Sequence, residues 1–354
     1  MKGYEPGEQP QGTEAVKLNT NENPYRASEN VYDAVRSACE IGLSRYPDPT
    51  GTQFRIAASR LYDVDPDWIL CGNGSDDLLT ILTRTFVGSG ELLRLPYPTY
   101  ILYKTLAEIQ GAVADLVHFQ PDWTLSRKFT DNPAASPSAR EHPTKSDRLR
   151  LAFLPNPNSP SGTMIPPNDI LKLAEALPCP LVVDEAYADF ADENCMKLVE
   201  KCEKLIVCRT LSKSYSLAGL RFGFLVAQPQ MIEQMMKVKD SYNCDALSIA
   251  AATAAINDQD WRIENRRKIL ATRERLTGRM REMGFNVLDS HANFTWNTRD
   301  DMPLKPLYEH VKTNGFLLRY MNYPGWGDGL RISVGTDEQI EQCLGVIERK
   351  LFDS

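Results

Sequence analysis

The sequence predicts an α/β fold: a large domain with a mostly parallel sheet covered by helices, and a smaller α+β domain. Short apolar runs alternate with segments of helical periodicity between residues 67 and 227, which is the pattern of a parallel sheet with crossover helices. The chain has 354 residues, more than one hydrophobic core usually supports, so two domains are expected.

The predicted strands of the large domain are short and apolar. They lie near residues 67–71, 92–95, 149–154, 180–184, 205–208 and 222–227. Helical periodicity separates most of them, as in Ile170 to Leu177. After residue 260 the pattern changes to a long charged helix, Trp261 to Met283, then to short strands and the helices Pro303 to Thr313 and Asp337 to Leu351. These later segments predict the smaller domain.

Domain boundaries follow from this change of pattern. Residues 39–258 are predicted to form the large domain and residues 259–354 the small one. Residues 1–38 are expected to form an N-terminal arm and part of the small domain, which would make that domain discontinuous. The stretch Lys128 to Asp147 is rich in Pro, Ser, Ala and mixed charge, and it is predicted to be an exposed or mobile loop.

Composition narrows the class of protein. The formal net charge of -7 argues against a general nucleic-acid partner. No apolar signal-peptide core and no run long enough to cross a bilayer is present, so a cytoplasmic location is expected. The eight cysteines form no Cys-x-x-Cys pair, and reduced thiols are expected, with neither a disulfide nor a bound metal.

One lysine, Lys213, is surrounded by groups suited to a phosphorylated aldehyde. A lysine amine can form a Schiff base with a carbonyl, while Ser212 and Arg221 can bind a phosphate. This combination suits pyridoxal 5'-phosphate. A solvated lysine at the end of an apolar strand is the simpler interpretation of Lys213 alone, so the assignment depends on other segments.

An acid and a phenol follow the predicted strand at 180–184. A carboxylate at the carboxyl end of a parallel strand lies where α/β folds bind ligands. Asp184 could pair with the protonated pyridine nitrogen of the cofactor, and Tyr187 could donate to its ring oxygen. A magnesium site or a helix cap explains the pair Asp184-Glu185 equally well when the pair is considered alone.

A glycine-rich turn precedes the predicted helix that runs through Thr85. Helix N-termini attract phosphate through unpaired amide groups, which makes Gly74, Ser75 and Asp76 candidate phosphate contacts. Ser75 is also a good N-cap, and capping alone accounts for these residue types. The turn is not a dinucleotide fingerprint, because Asp77 stands where a third glycine is needed.

The turn Asn156 to Gly162 ends the strand predicted at 149–154. Its amide side chains could contact a ring hydroxyl, although most such runs are merely turns. The glycine-serine turn, this asparagine turn, the Asp-x-x-Tyr segment and the Ser-Lys segment follow one another as expected of one cofactor site. Their joint occurrence is improbable by coincidence.

With these motifs the chain resembles the fold-type I pyridoxal-phosphate aminotransferases, and among them the histidinol-phosphate aminotransferase family (class II). The resemblance covers nearly the whole chain. Besides the motifs above, it includes the segments Leu18 to Tyr25, Arg45 to Pro49, Tyr97 to Tyr100 and Leu330 to Thr336.

The resemblance implies catalytic roles for Lys213, Asp184 and Tyr187. Lys213 would bind the cofactor covalently and move a proton between the substrate and the cofactor. Tyr187 and Asn158 would contact the ring oxygen, and Tyr100 would stack on the ring, with Tyr97 as the alternative. Contacts to the phosphate are implied for Gly74, Ser75, Asp76, Ser212, Arg221 and, from the second subunit of a homodimer, Tyr46.

Substrate contacts are also implied. Arg331 would bind the substrate's carboxylate, and Arg319 would bind its phosphate or distal acid. Asn21, Asn23 and Tyr25 are the further residues assigned to the substrate. In many relatives the asparagine turn reads Asn-Asn-Pro-Thr-Gly, whereas Ser159 replaces the second asparagine here, so the ring-oxygen contact could fall to Asn158 or to Ser159.

The resemblance predicts amino transfer between L-histidinol phosphate and 2-oxoglutarate in histidine biosynthesis. An aromatic or other α-amino acid aminotransferase and a threonine-phosphate decarboxylase are the nearest alternatives, because they share most of these motifs. A nicotinamide-dependent dehydrogenase, which the missing third glycine disfavours, and a non-catalytic phosphate-binding regulator are the alternatives from other classes.

Overall fold

The computed structural model describes residues 7–9, 15–135 and 144–352. Its strands are β1 Val16–Lys17, β2 Ile69–Gly72, β3 Leu92–Tyr97, β4 Val113–His118, β5 Leu149–Pro155, β6 Leu181–Asp184, β7 Leu205–Thr210, β8 Gly223–Val226, β9 Asn286–Val287, β10 Phe294–Thr298, β11 Phe316–Leu317, β12 Arg319–Tyr323 and β13 Gly327–Ser333. Its α-helices are α1 Glu29–Ile41, α2 Thr52–Tyr62, α3 Ser75–Phe86, α4 Leu102–Gln110, α5 Pro167–Ala176, α6 Pro229–Met236, α7 Ala246–Asn257, α8 Gln259–Glu282, α9 Lys305–Thr313 and α10 Asp337–Phe352.

The larger sheet has seven strands in the order β2-β8-β7-β6-β5-β3-β4. Strands β3 to β7 pair in parallel, whereas β8 runs antiparallel to both β7 and β2. The predicted α/β class with a mostly parallel sheet is confirmed. Strand β4 was not predicted, because as an edge strand it is largely exposed and carries polar residues.

Helices cover both faces of this sheet. Along β6, Leu181 and Val183 belong to the core on one face, and Val182 belongs to the core on the other. A strand that is buried on both faces has no polar alternation, which is why these runs were recognisable as continuous apolar segments. The carboxyl ends of the parallel strands therefore meet at one protected edge of the sheet.

The second sheet lies in the C-terminal part of the chain and has the order β12-β13-β10-β9. It packs with α8, α9 and α10 around a separate apolar core that includes Leu276, Leu330 and Ile347. Strands β12 and β13 pair antiparallel and place Arg319 directly opposite Arg331. The two arginines that the sequence assigned to the substrate are thus neighbours in one sheet.

The N-terminal residues contact both parts of the molecule. Strand β1 pairs with β11, and Leu18 is buried in the C-terminal core. Helix α1, by contrast, packs against α7, and its Val31 belongs to a core of the larger sheet. The residues before α1 therefore make the contacts to the C-terminal part. The predicted domain boundaries at residues 38 and 258 stay a prediction.

The stretch Lys128 to Asp147 is described only in part, since residues 136–143 lie outside the described residues. Its beginning is ordered by packing: Phe129 is fully buried, and the Arg94 guanidinium donates to the carbonyls of Phe129 and Asp131. Short 3-10 turns occur at Arg127–Thr130, Pro133–Ala135 and Lys145–Asp147. In the described part of the chain, no helix is both long and apolar enough to cross a membrane.

Candidate active site

A cavity of about 270 Å³ lies between the carboxyl edge of the larger sheet and the two arginine strands of the smaller one. Most of the residues that the sequence assigned to the site line it. These are Asn21, Ser75, Asp76, Tyr100, Asp184, Tyr187, Ser212, Lys213, Arg221, Arg319 and Arg331. Residues from at least five separate segments of the chain therefore converge on one cavity.

Lys213 follows strand β7 and is half-buried, with its amine in the cavity. The amine donates to the carbonyl of Thr20 at 2.9 Å. Burial, followed by the positive charge of Arg331, lowers the pKa of Lys213 to about 8. A substantial fraction of the amine is therefore neutral near physiological pH, and the neutral amine is the form that attacks a carbonyl.

Asp184 ends strand β6 and is buried beneath the cavity. Tyr103 donates its phenol to Asp184 Oδ2 at 2.7 Å, and the amide of Ala186 donates to Oδ1 at 3.1 Å. Burial raises the pKa of Asp184 to about 6, although these two hydrogen bonds act in the opposite direction. Asp184 is thus a carboxylate that a cationic ring nitrogen would stabilise.

Tyr103 was missed by sequence reasoning. It lies on helix α4, is fully buried and lines the cavity. The signal was its position three residues after Tyr100, just inside the start of α4, where the two rings pack edge-on with centroids 5.5 Å apart. Only the packing of α4 on the sheet brings the Tyr103 hydroxyl to Asp184.

Glu185, the neighbour of Asp184, accepts hydrogen bonds from Arg209 and from the amide of Cys195. The two acids of the Asp-Glu pair therefore lie in different environments.

Tyr187 lines the cavity from the turn after β6. Its hydroxyl accepts a hydrogen bond from Asn21 Nδ2 at 2.9 Å, and its ring packs edge-on against Phe294. The N-terminal arm thereby orients the phenol that the sequence assigned to the ring oxygen.

The N-terminus of helix α3 forms one corner of the cavity. The helix begins at Ser75, and Gly74 is its N-cap, so the interpretation of Ser75 as the N-cap is corrected by one residue. Gly74 has a φ of 84° and makes no side-chain cap, which leaves the first-turn amides available to an anion. A Cβ on Gly74 would lie 2.7 Å from Arg221 Nη2, so the guanidinium would have to move away from this turn.

Arg221 and Ser212 complete that corner. Arg221 Nη1 lies 3.4 Å from Ser212 Oγ, and Nη2 lies 3.4 Å from Asp76 Oδ2. Tyr100 reaches the same carboxylate, with its hydroxyl 3.4 Å from Asp76 Oδ1. These contacts are long, and Arg221 and Asp76 are each 44% exposed, so a bound anion could replace them. The alternative stacking residue, Tyr97, instead packs against His118 and Tyr323.

The asparagine turn presents Ser159 to the cavity and holds Asn158 behind it. Asn158 Nδ2 donates to Ser161 Oγ at 2.8 Å and to the carbonyl of Pro98 at 3.3 Å, and the side chain is buried. A contact between the Asn158 amide and a ring oxygen would require one of these bonds to be given up. Ser159 lines the cavity, and its hydroxyl accepts from Arg331 Nη1 at 2.9 Å.

Arg331 and Arg319 line the cavity from strands β13 and β12 of the smaller sheet. Arg331 is buried, donates to the carbonyl of Asn19 at 2.9 Å, and lies 5.3 Å above the ring of Phe294. Arg319 is half-buried on the adjacent strand. Two guanidinium groups in register on neighbouring strands create a positive site suited to a carboxylate or a phosphate.

Besides Gly74 and Asn158, three predicted site residues do not line the cavity. Asn23 donates to the backbone carbonyls of Lys213 and Ser214, at 3.0 and 3.3 Å, so its side chain supports the lysine from outside the cavity. The ring of Tyr25 packs in a small cluster with Phe190, 5.4 Å below the Lys268 amine. Tyr46 is 81% exposed and stacks on Tyr242 with ring centroids 4.5 Å apart.

The chain is similar to a known protein family and to individual proteins of known structure or sequence. The profile of the aminotransferase class I and II family matches residues 13–347. A histidinol-phosphate aminotransferase of Rhodopirellula baltica is 53% identical over 99% of this chain and 94% of its own length. Histidinol-phosphate aminotransferase 1 of Trichormus variabilis is 43% identical over 96% of this chain and 93% of its own length.

A solved structure agrees with these sequence relatives. The histidinol-phosphate aminotransferase of Sinorhizobium meliloti, in complex with pyridoxal 5'-phosphate, superposes with a TM-score of 0.83 at 25% identity. The alignment covers 95% of this chain and 92% of that one.

Proposed function

Because the chain belongs to the aminotransferase class I and II family, and within it to the histidinol-phosphate aminotransferases, we propose that it transfers the amino group of L-histidinol phosphate to 2-oxoglutarate. The products are imidazole acetol phosphate and L-glutamate, and the reaction is reversible. This places the enzyme in histidine biosynthesis. The predictions of the family, of a transaminase and of pyridoxal 5'-phosphate as its cofactor are confirmed.

One observation carries the proposal at the level of the site. A single cavity contains a half-buried lysine, a buried carboxylate and two separate groups of cationic donors. Arg221 lies at the N-terminus of helix α3, whereas Arg319 and Arg331 lie on strands β12 and β13. Two separate anion sites in the cavity of a reactive lysine are what a phosphorylated cofactor and an anionic substrate require together.

The residues present fit the cofactor. The glycine N-cap of α3, the Ser212 hydroxyl and the Arg221 guanidinium would hold its phosphate. Asp184 would pair with its ring nitrogen, and Tyr187 with its ring oxygen. When bound, pyridoxal phosphate supplies an aldehyde for the lysine and a ring that accepts electron density from the substrate's Cα.

Lys213 carries the proton transfers in this proposal. Its lowered pKa of about 8 lets the amine accept a proton from the substrate's Cα and return it to the cofactor side near neutral pH. The Thr20 carbonyl accepts a hydrogen bond from this amine and so limits the directions in which it can point. The buried wall around it, including Asp184 and Arg331, restricts water at the reacting carbon.

The paired arginines explain how one site accepts both amino donors. Glutamate brings two carboxylates, and histidinol phosphate brings one phosphate ester. Arg331 would bind the α-carboxylate of glutamate, and Arg319 would bind its distal carboxylate or the phosphate of histidinol phosphate. Both guanidinium groups are partly or fully buried, where a charge-assisted hydrogen bond is stronger than in water.

The half-reactions test the proposal. The cofactor-loaded protein is mixed separately with L-histidinol phosphate, glutamate, phenylalanine and threonine phosphate, and the visible absorption of the lysine-bound cofactor is followed. We expect rapid loss of that absorption with the first two donors. Conversion by phenylalanine but not by histidinol phosphate would support an aromatic aminotransferase instead, and release of CO₂ from threonine phosphate would support a decarboxylase.

Arg319 provides the matching variant test. Arg319→Gln should raise the KM for histidinol phosphate about 10- to 100-fold, because a charge-assisted contact to the substrate's phosphate is lost. Arg319→Lys, which keeps the charge but not the fork of donors, should fall between this variant and the wild type. An unchanged KM in Arg319→Gln would remove Arg319 from substrate recognition.

A homodimer is the second part of the proposal. Ile41, Leu43 and Tyr46 are 88%, 61% and 81% exposed, and such a concentration of exposed apolar side chains is typical of an interface. The stacked rings of Tyr46 and Tyr242 belong to the same surface. Tyr46 would then reach the phosphate of the neighbouring subunit's cofactor.

Mixed dimers test this arrangement. Lys213→Ala chains, which are inactive alone, and Tyr46→Ala chains, which should bind the cofactor weakly as a homodimer, are co-refolded in equal amounts and assayed at a cofactor concentration too low to load the Tyr46→Ala homodimer. Random assembly should restore about a quarter of the wild-type activity, because half of the dimers are mixed and each mixed dimer holds one complete site. If no activity returns although the dimers form, Tyr46 does not serve the neighbouring site.

The cytoplasm stays the proposed compartment, on the cysteine pattern of the sequence.

A further inference from the structure

A buried network of charged side chains lies directly behind the cavity. Arg209 on strand β7 donates through Nε to Glu185 Oε2 at 2.8 Å and through Nη1 to Asp189 Oδ1 at 2.8 Å. The side chains of Arg209, Glu185 and Asp189 are 3%, 0% and 14% exposed. Burying such a group of charges is costly unless each charge is paired and hydrogen-bonded, so the network calls for a functional explanation.

The network ends at the residue next to the reactive lysine. Ser214 Oγ donates to Asp189 Oδ2, the second oxygen of the carboxylate that Arg209 holds. At its other end, Glu185 is the residue that follows Asp184. The network thus joins the peptide after Asp184 to the peptide after Lys213, although none of its charged side chains lines the cavity.

The segment that carries Lys213 depends on such support. Between β7 and β8 the chain forms no α-helix or strand, and Ser216 and Arg221 adopt left-handed conformations with φ of 60° and 53°. A segment of this kind has few backbone hydrogen bonds of its own, so its geometry depends on side-chain contacts. Beside the lysine, Asn23 donates to the backbone carbonyls of Lys213 and Ser214, and the Ser214 hydroxyl donates to Asp189.

We propose that Ser214 is a positioning residue for Lys213, and that Asp189, held by Arg209 and Glu185, is its anchor. The inference rests on the proposed role of Lys213. The hydroxyl of Ser214 fixes the peptide on the C-terminal side of the lysine, so that the amine is directed to the carbonyl of Thr20 and into the cavity. Asp189 lies in the same turn as Tyr187, and Arg209 also binds Glu185, the residue after Asp184. The network therefore fixes the position of Lys213 relative to Asp184 and Tyr187, the two residues predicted to contact the cofactor ring.

The test compares two serine-to-alanine changes in the same segment. Ser214→Ala removes the bond to Asp189. Ser216→Ala is the matched control, since the Ser216 hydroxyl is buried and makes no hydrogen bond to any residue in the described part of the chain. Both variants, as full-length chains stripped of cofactor, are mixed with pyridoxal phosphate, and the covalent lysine adduct, formed with loss of water, is trapped by borohydride and quantified at Lys213 by mass spectrometry.

The measurement is made at pH 9.5, where a lysine with a pKa of about 8 is mainly neutral, so that the rate reports placement rather than protonation. We expect Ser214→Ala to form the adduct roughly tenfold more slowly than the wild type, and Ser216→Ala to match the wild type. In the loaded enzyme, Ser214→Ala should lower kcat and leave the KM for glutamate unchanged.

Equal adduct rates in Ser214→Ala and Ser216→Ala would overturn the inference. If wild-type Lys213 forms no adduct, the proposed function fails instead, so the two failures are distinguishable. Should Ser214→Ala not fold, Asp189→Asn replaces it, because this change keeps the size of the anchor and weakens its bonds to both Ser214 and Arg209. A wild-type rate in folded Asp189→Asn would equally overturn the inference.

Discussion

The hydrogen bonds of the cavity differ in length between two regions: the floor, formed by Asp184, Tyr103 and Lys213, and the rim that faces the predicted phosphate site, formed by Arg221, Ser212 and Asp76. At the floor, Tyr103 donates to Asp184 at 2.7 Å and Lys213 donates to Thr20 at 2.9 Å. At the rim, the contacts of Arg221 with Ser212 and Asp76 are all 3.4 Å long, and Arg221 and Asp76 are each 44% exposed.

This difference separates the groups that are already ordered for catalysis from those that need a bound ligand to form good contacts. The floor groups make short hydrogen bonds and have shifted pKa values: the pKa of Asp184 is raised to about 6 and that of Lys213 is lowered to about 8. The rim donors make contacts near the limit of hydrogen-bonding distance, and an anion would bind them better than Asp76 does. Changes at the floor should therefore affect the chemical step, and changes at the rim should affect cofactor affinity.

The largest effect is expected at the lysine itself. Lys213→Ala should lower transamination on the order of 10⁴-fold or more, because the nucleophile and the proton carrier are lost together. The fold should persist, since the side chain is only half-buried and, within the described residues, its amine donates a hydrogen bond only to the carbonyl of Thr20. Steady-state assays with circular dichroism check both points, and full activity in this variant would remove Lys213 from the mechanism.

Asp184→Asn should have the next largest effect. An amide cannot stabilise a protonated ring nitrogen as a carboxylate does, so Cα proton abstraction should slow roughly 10²- to 10³-fold. Single-turnover kinetics with substrate deuterated at Cα separate this step from binding. If the rate is unaffected, a different acid holds the ring nitrogen.

The same substitution should stabilise the cofactor-free chain at neutral pH. The pKa of Asp184 is raised from 3.8 to about 6, so its folding penalty is absent below pH 4, grows as the pH rises, and is complete above pH 6. By linkage this difference is about 3 kcal/mol. Urea unfolding should show Asp184→Asn gaining stability over the wild type between pH 4 and pH 7, and a constant difference across this range would contradict the shifted pKa.

The smallest of these effects is expected at the rim. Arg221→Ala should weaken cofactor binding about 10- to 100-fold, which is the usual contribution of a charge-assisted contact, while kcat at saturating cofactor changes little. Equilibrium dialysis measures the affinity and steady-state kinetics measures kcat. A large fall in kcat with unchanged affinity would contradict the assignment of cofactor binding to the rim and of the chemical step to the floor.

Sequence reasoning located the strands of the large sheet to within a few residues because they are buried on both faces. It missed β4, whose exposed edge gives no apolar signal, and it could not give the antiparallel direction of β8, since an apolar run has no direction. At the site, Lys213, Asp184 and Arg221 were recognisable from the motifs that surround them.

The remaining site features depend on tertiary packing. Tyr103 reaches Asp184 only because α4 lies on the sheet. The network from Arg209 to Ser214 passes through Asp189, which belongs to a different segment of the sequence. The asparagine turn shows the same limit: the sequence left Asn158 and Ser159 open, and the backbone of the turn decides which of them faces the cavity.

The N-terminal arm has a practical consequence for protein engineering. Residues 19–22 form part of the cavity wall, Thr20 accepts from the reactive amine, and Val16–Lys17 pairs with the C-terminal part of the chain. A truncation that trims this arm as a dispensable leader would open the reaction chamber on one side. Chimaeras that exchange the C-terminal part of the chain should therefore carry their own N-terminal arm with it.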